Sequence, residues 1–221
     1  MTRSDLARLI DHSVLRPEST EGDIRSGADV VRRWNIAFYC VQPCWVVRAA
    51  QLLADTDARI VAVVGFPHGC DRSDVKARGA AAAHGDGAQE IDMVLNIGAL
   101  KSGDTVTVGR DIEAVVSAVP GIPVKVILEA AALTDAEKKT ACQLARDAGA
   151  AFVKTSTGFH ASGGATVADV RLLRASVGVD FGVKASGGIR TLADALAMIE
   201  AGANRIGASA SGDILAALEH D

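Results

Sequence analysis

Short runs of β-branched and other apolar residues recur at near-even spacing along the chain, over residues 9–13, 38–42, 60–64, 90–96, 124–129, 152–156, 182–185 and 205–209. Between most of them the pattern takes on the 3.6-residue period of a helix. In residues 191–202, for example, Leu192, Ala195, Leu196 and Ile199 fall on one helical face. Thr134-Asp-Ala-Glu137 has the spacing of a capping box, whose side chains satisfy the free N–H groups that open a helix. Three helical stretches stop at a Gly-Ala step just before a strand: Gly87-Ala88, Gly149-Ala150 and Gly202-Ala203. Glycine there supplies the left-handed backbone that closes a helix. Alternating strands and helices predict a parallel α/β sheet. Eight such units in 221 residues predict a single (β/α)8 TIM barrel over residues 1–221, with no linker to divide it. The rival is an open doubly wound sheet. It wants G-x-G-x-x-G after its first strand, yet residues 13–20 hold no glycine, and Gly85-Asp-Gly87 precedes a strand.

A barrel strand turns alternate side chains inward. If Ile91, Met93 and Leu95 face the helices, then Glu90, Asp92, Val94 and Asn96 face the interior. The same parity points Lys125, Ile127 and Glu129 inward, then Phe152, Lys154 and Ser156, then Lys184, with Asp11 and Cys40 inside as well. Lys125 falls at the N-terminal end of its strand, where barrels keep stabilising groups. Asp92, Lys154 and Lys184 fall toward the C-terminal ends, where barrel enzymes keep catalytic groups.

Inward charges are costly unless paired, so one reading makes them structural ion pairs. The other makes them chemistry. The chain uses 16 arginines against 7 lysines, yet places lysine at these positions. Lysine can lose its proton and attack a carbonyl; arginine cannot. Lys154 and Lys184 sit on neighbouring strands, about 4.8 Å apart. Two ammonium groups so close disfavour each other's charge, and burial acts in the same direction. A lysine pair with a carboxylate at the barrel mouth is therefore a Schiff-base constellation, although spacing does not say which lysine is the nucleophile.

Three late segments are rich in backbone donors. Gly158 follows Lys154-Thr-Ser-Thr, Gly187-Gly188 follows Lys184, and Gly207-Ala-Ser209 ends the last strand. Barrels build phosphate sites from the loops after strands seven and eight, so an anionic ligand is expected there.

Composition narrows the classes. Apolar residues make up 49% and charged residues 23%, which is ordinary for a globular chain. A net charge of −4 argues against nucleic acid as a partner. Cys40, Cys44, Cys70 and Cys142 show no framework spacing, and His12, His68, His84, His160 and His220 form no ligand motif, so neither a disulfide scaffold, a metal nor a cofactor is expected. The charged start lacks a signal peptide's apolar stretch, and the apolar run 60–66 is too short to span a bilayer. A reduced, cytoplasmic protein without a membrane partner is the expectation.

Several motifs carry a family resemblance that runs nearly end to end. They are Leu9-Ile-Asp-His-Ser-Val-Leu15 followed by Arg16-Pro17, Cys40-Val-Gln-Pro-Cys44, Val64-Gly-Phe-Pro67, Glu90-Ile-Asp-Met-Val-Leu-Asn96, Phe152-Val-Lys-Thr-Ser-Thr-Gly158, Gly182-Val-Lys-Ala-Ser-Gly-Gly188 and Arg205-Ile-Gly-Ala-Ser209. The chain resembles the deoxyribose-phosphate aldolases, class I aldolases of deoxynucleoside breakdown. The resemblance implies Lys154 as the Schiff-base lysine, Lys184 as the lysine that tunes it, and Asp92 as the proton-transfer carboxylate. It implies a phosphate site from Gly158, Gly187, Gly188, Gly207 and Ser209, with Cys40 and Asp11 also against the substrate. The implied reaction is reversible cleavage of 2-deoxy-D-ribose 5-phosphate to D-glyceraldehyde 3-phosphate and acetaldehyde. The sequence leaves open whether the chain forms a homo-oligomer.

The chain departs from the family pattern in four places. Ala210 replaces a second serine, Phe159 replaces a lysine of some members, Ala130-Ala-Ala132 is a plain stretch, and the end Glu219-His-Asp221 lacks a terminal tyrosine. Two rivals remain: an isomerase or another barrel lyase using Asp92 as a simple base, and a non-catalytic sugar-phosphate sensor.

Overall fold

The computed structural model describes residues 1–218; the end Glu219-His-Asp221 lies outside the described residues. Eight strands alternate with helices: β1 (Ile10–Val14), β2 (Phe38–Val41), β3 (Arg59–Val64), β4 (Glu90–Val94), β5 (Val124–Ile127), β6 (Phe152–Lys154), β7 (Gly182–Ser186) and β8 (Arg205–Ala208). All pair in parallel in chain order, and β8 closes on β1 through Ile10↔Ile206 and Asp11↔Gly207. The predicted strands begin and end within two residues of these. Thr134 and Glu137 form the expected reciprocal cap on the helix Asp135–Asp147. Gly87, Gly149 and Gly202 all take positive φ at helix ends.

Packing divides the barrel wall into two layers. Ile91, Met93, Val124, Val126, Val153, Val183 and Ile206 face outward and pack with the helices in one continuous core. Inside, the β2–β3 quadrant is apolar: Phe38, Cys40, Val61 and Val63 cluster there. Elsewhere the interior carries buried charges. Asp11, Glu90, Asp92, Lys125, Lys154, Lys184 and Arg205 are all buried. Register explains their proximity, since Asp92 lies beside Lys125, Lys154 beside Lys184, and Lys184 beside Arg205. The first position of β7 must be glycine. A Cβ on Gly182 would lie 2.1 Å from the inward ring of Phe152.

Candidate active site

A single carboxylate organises the C-terminal half of the interior. Asp92 Oδ2 accepts from Lys154 Nζ at 2.9 Å and from Lys184 Nζ at 2.8 Å, while Oδ1 accepts from Lys125 Nζ at 2.8 Å. Lys184 also donates to Asp11, whose other oxygen accepts from Arg205 at 2.9 Å. Lys125 and Arg205 both reach Glu90, at 2.5 and 3.0 Å. Lys125, which register sets beside Asp92, shares that carboxylate with the other two lysines.

The two candidate nucleophiles differ in their partners. Burial favours the neutral amine at Lys184, but Asp11 and Asp92 outweigh it and hold the ammonium well above the ordinary lysine range. This corrects the expectation of two mutually suppressed amines, because the carboxylates between them reverse the sign for Lys184. Among the described residues Lys154 has Asp92 as its one ionic partner, and that carboxylate is shared three ways. Burial would raise the Asp92 carboxyl, yet the three lysines hold it well below the usual carboxylate range. Asp92 is fully buried behind the lysines and does not border the cavity at the mouth.

That cavity, 810 Å³ in volume, opens at the C-terminal ends of the strands. Lys154 and Lys184 form part of its floor, with Cys40 beside them. Burial pushes the Cys40 thiol up to about 11, so it stays protonated and uncharged at neutral pH. Gly158, Gly187, Gly188, Gly207 and Ser209 line one side of the same cavity. Gly187 is required by close approach as well as by its φ of 88°, since Gly164 Cα would lie 3.1 Å from a Cβ there. A Cβ on Gly207 would meet Lys184 Cε at 3.1 Å, so this glycine also leaves room for the lysine stem. Asp11 is the exception among the expected substrate contacts. It lies outside the cavity, fully buried, with its oxygens directed to Lys184 and Arg205. The cause is its depth: the second residue of β1 sits one layer below the mouth.

Three features escaped the sequence. Arg205 shares the inward parity of its β8 register with Lys184, and a charge at a strand's first position was the available signal. Glu129 was read as inward, but not its role as a clasp: its carboxylate accepts from the Thr157 hydroxyl at 2.5 Å and from the Thr157 N–H. Its φ of 58° is unusual for a residue with a side chain. His12 reaches the cavity wall, stacked on Tyr39 with Nδ1 2.6 Å from Ser211 Oγ, and burial lowers it to about 4, so the ring is neutral. Phe159, at the cavity edge, packs edge-on against Phe66 at 5.3 Å and brings no charge.

Comparison with known proteins agrees with this geometry. The model of the DeoC/LacD family aldolases matches residues 6–216. A deoxyribose-phosphate aldolase of Enterococcus faecalis is 55% identical over 206 residues, covering 93% of each chain. Deoxyribose-phosphate aldolase 1 of Bacillus licheniformis is 52% identical over 217 residues, covering 98% of this chain and 97% of its own. Among solved structures, the tetrameric deoxyribose phosphate aldolase of Aeropyrum pernix superposes with a TM-score of 0.89 at 33% identity, over 97% of this chain and 91% of that one. No helix among the described residues is long and apolar enough to cross a membrane. With a closed eightfold barrel, buried lysines around one carboxylate and a family match over nearly its whole length, the chain belongs to the DeoC/LacD aldolase family.

Proposed function

We propose that the chain cleaves 2-deoxy-D-ribose 5-phosphate reversibly to D-glyceraldehyde 3-phosphate and acetaldehyde, through a Schiff base on Lys154. The observation that carries the choice of nucleophile is the division of partners: Lys184 is held as an ammonium by two carboxylates, while Lys154 borders the cavity with only a share of Asp92. The neutral Lys154 amine attacks the C1 aldehyde, and loss of water leaves an iminium. That cation draws electrons from the C2–C3 bond as the C3 hydroxyl gives up its proton. Glyceraldehyde 3-phosphate departs and an enamine remains on Lys154. Protonation at C2 and attack by water release acetaldehyde and restore the amine. Because Asp92 does not border the cavity, the C3 proton is relayed to it through water, and it orients Lys154 and Lys184 throughout.

The glycine-lined wall receives the 5-phosphate, with Gly158, Gly187, Gly188, Gly207 and Ser209 as its donors. Ala210 and Phe159 add neither hydroxyl nor charge. The tetrameric relative favours a homo-oligomer, and a cytoplasmic setting fits phosphorylated intermediates. Borohydride reduction with acetaldehyde tests the reading. The reduced adduct is expected on Lys154 and absent from Lys154→Arg. Turnover of deoxyribose 5-phosphate by protein whose Lys154 remains unmodified would overturn it.

A further inference from the structure

We propose that His12, on the outer face of β1, is a further binding residue for the 5-phosphate, with its Nε2–H as the donor and Ser211 as the residue that sets its tautomer. The inference rests on the phosphate wall proposed above and adds to it a side chain from a fourth strand.

Asp11 points into the barrel, toward Lys184. Alternation along β1 therefore turns Ile10, His12 and Val14 toward the helices, where Ile10 and Val14 join the apolar core. His12 is the polar member of this face. It is 5% exposed, yet it lines the same cavity as the glycine wall. Register sets it beside Ala208, between Gly207 and Ser209. Gly158 follows β6, Gly187 and Gly188 follow β7, and Gly207 and Ser209 close β8. His12 continues that arc across the seam where β8 meets β1.

The ring is held on two sides. It stacks on Tyr39 with 5.8 Å between centroids, and Nδ1 lies 2.6 Å from Ser211 Oγ on the helix Ser211–Ala216. Ser211 is fully buried, and its hydroxyl has no other partner among the described residues. A hydroxyl so enclosed donates to the one acceptor in reach, so Nδ1 accepts and the ring proton sits on Nε2. Nε2 itself makes no hydrogen bond among the described residues and is not sealed from the cavity. Packing alone would be met by leucine, without the cost of an imidazole nitrogen that lacks a protein partner.

The ring is neutral, so it offers one directed N–H and no charge. Ala210 gives the wall no hydroxyl and Phe159 no charge, so a donor from β1 is a material addition. Two carboxylates border the cavity at its exposed rim. Glu18 lies 3.9 Å from Arg16, and Asp23 caps its own helix through Thr20. Neither is a partner of His12 among the described residues.

The test reads phosphate preference in the full chain, as the ratio of kcat/KM for deoxyribose 5-phosphate to kcat/KM for deoxyribose, together with inhibition of deoxyribose cleavage by inorganic phosphate. His12→Leu is expected to lower the ratio and to weaken the inhibition by about tenfold each, the loss of one hydrogen bond to a charged acceptor. His12→Gln, which keeps an N–H donor, should recover part of both. Ser211→Ala, which lets the ring proton sit on either nitrogen, should lower the ratio about threefold. A purely structural loss slows both substrates alike, so an unchanged ratio in His12→Leu overturns the proposal. If His12→Leu does not fold, imidazole nitrogen NMR of the unmodified protein decides. Inorganic phosphate is expected to shift the His12 Nε2 signal, and a signal that stays in place refutes the contact. Should inorganic phosphate fail to inhibit the unmodified chain, the glycine wall falls and this contact with it. Should it inhibit the unmodified chain and His12→Leu equally, this contact alone falls.

Discussion

Lys76 and Lys154 are both buried against an aspartate, on opposite sides of the barrel wall. Lys76, in the helix Ser73–Gly85, donates to Asp111 of the helix Thr105–Ala118 at 2.6 Å and to the Val94 carbonyl at 2.9 Å. Its side chain is fully enclosed, and its charge is matched one for one. Lys154 also has one aspartate, but that aspartate serves Lys125 and Lys184 too, and Lys154 borders the cavity. Burial and an ionic contact are common to both. What separates the clamp from the proposed nucleophile is how many cations divide the carboxylate and whether the nitrogen borders a cavity.

The sharpest way to break this comparison is to exchange the outcomes. Lys154→Arg should lower turnover of deoxyribose 5-phosphate by at least about a thousandfold, because a guanidinium forms no imine. Lys76→Met should instead cost about 3–5 kcal/mol of stability by leaving Asp111 buried and unpaired. That corresponds to a melting temperature lower by roughly 10 °C, with adduct formation at Lys154 intact below it. Pairing it with Asp111→Leu should restore most of the loss. A Lys76→Met protein that melts normally, or that loses the adduct while folded, would erase the distinction.

These two lysines also mark what was legible beforehand. Strand parity repeats every two residues, so Asp92, Lys154 and Lys184 could be placed on the inner face from sequence. The strands and the closed barrel were legible from eight strand–helix units at near-even spacing. Lys76 was not, because the run Gly79-Ala-Ala-Ala-Ala83 gives its helix no clear apolar face. Partners were harder than faces. Lys125 shares Asp92 with two other lysines, and Asp11 turns from the cavity toward Lys184. Partners depend on which residues of neighbouring strands stand in register, and spacing within one strand does not record that.

A third buried group sharpens the comparison at lower amplitude. His12 is matched by a hydroxyl rather than a charge and stays neutral down to about 4, against 6.5 for an exposed histidine. The unfolded chain therefore binds the proton first as pH falls from 6.5 to 4. Stability should fall across that window, by about 2 kcal/mol between pH 7 and pH 5. Urea midpoints should show this slope, and His12→Gln should flatten it; an unchanged slope in that variant removes His12 as the cause.

The smallest effect is expected at Glu129, a buried carboxylate held by hydrogen bonds alone. Glu129→Gln loses an acceptor for Thr157, next to Gly158 on the cavity wall. KM for deoxyribose 5-phosphate should rise severalfold, with kcat nearly unchanged and cleavage of unphosphorylated deoxyribose unaffected. Equal losses on both substrates would mean that the clasp supports the whole site and not the phosphate wall.

The seam between β8 and β1 has a consequence for biosynthesis. Asp11 leaves the ribosome early and Arg205 late, so the carboxylate waits through nearly the whole of translation for its guanidinium. Until the ring shuts, Asp11 lacks the guanidinium that it meets in the folded barrel. The proposed imine-forming site is thereby completed only once β8 has been made and has paired with β1.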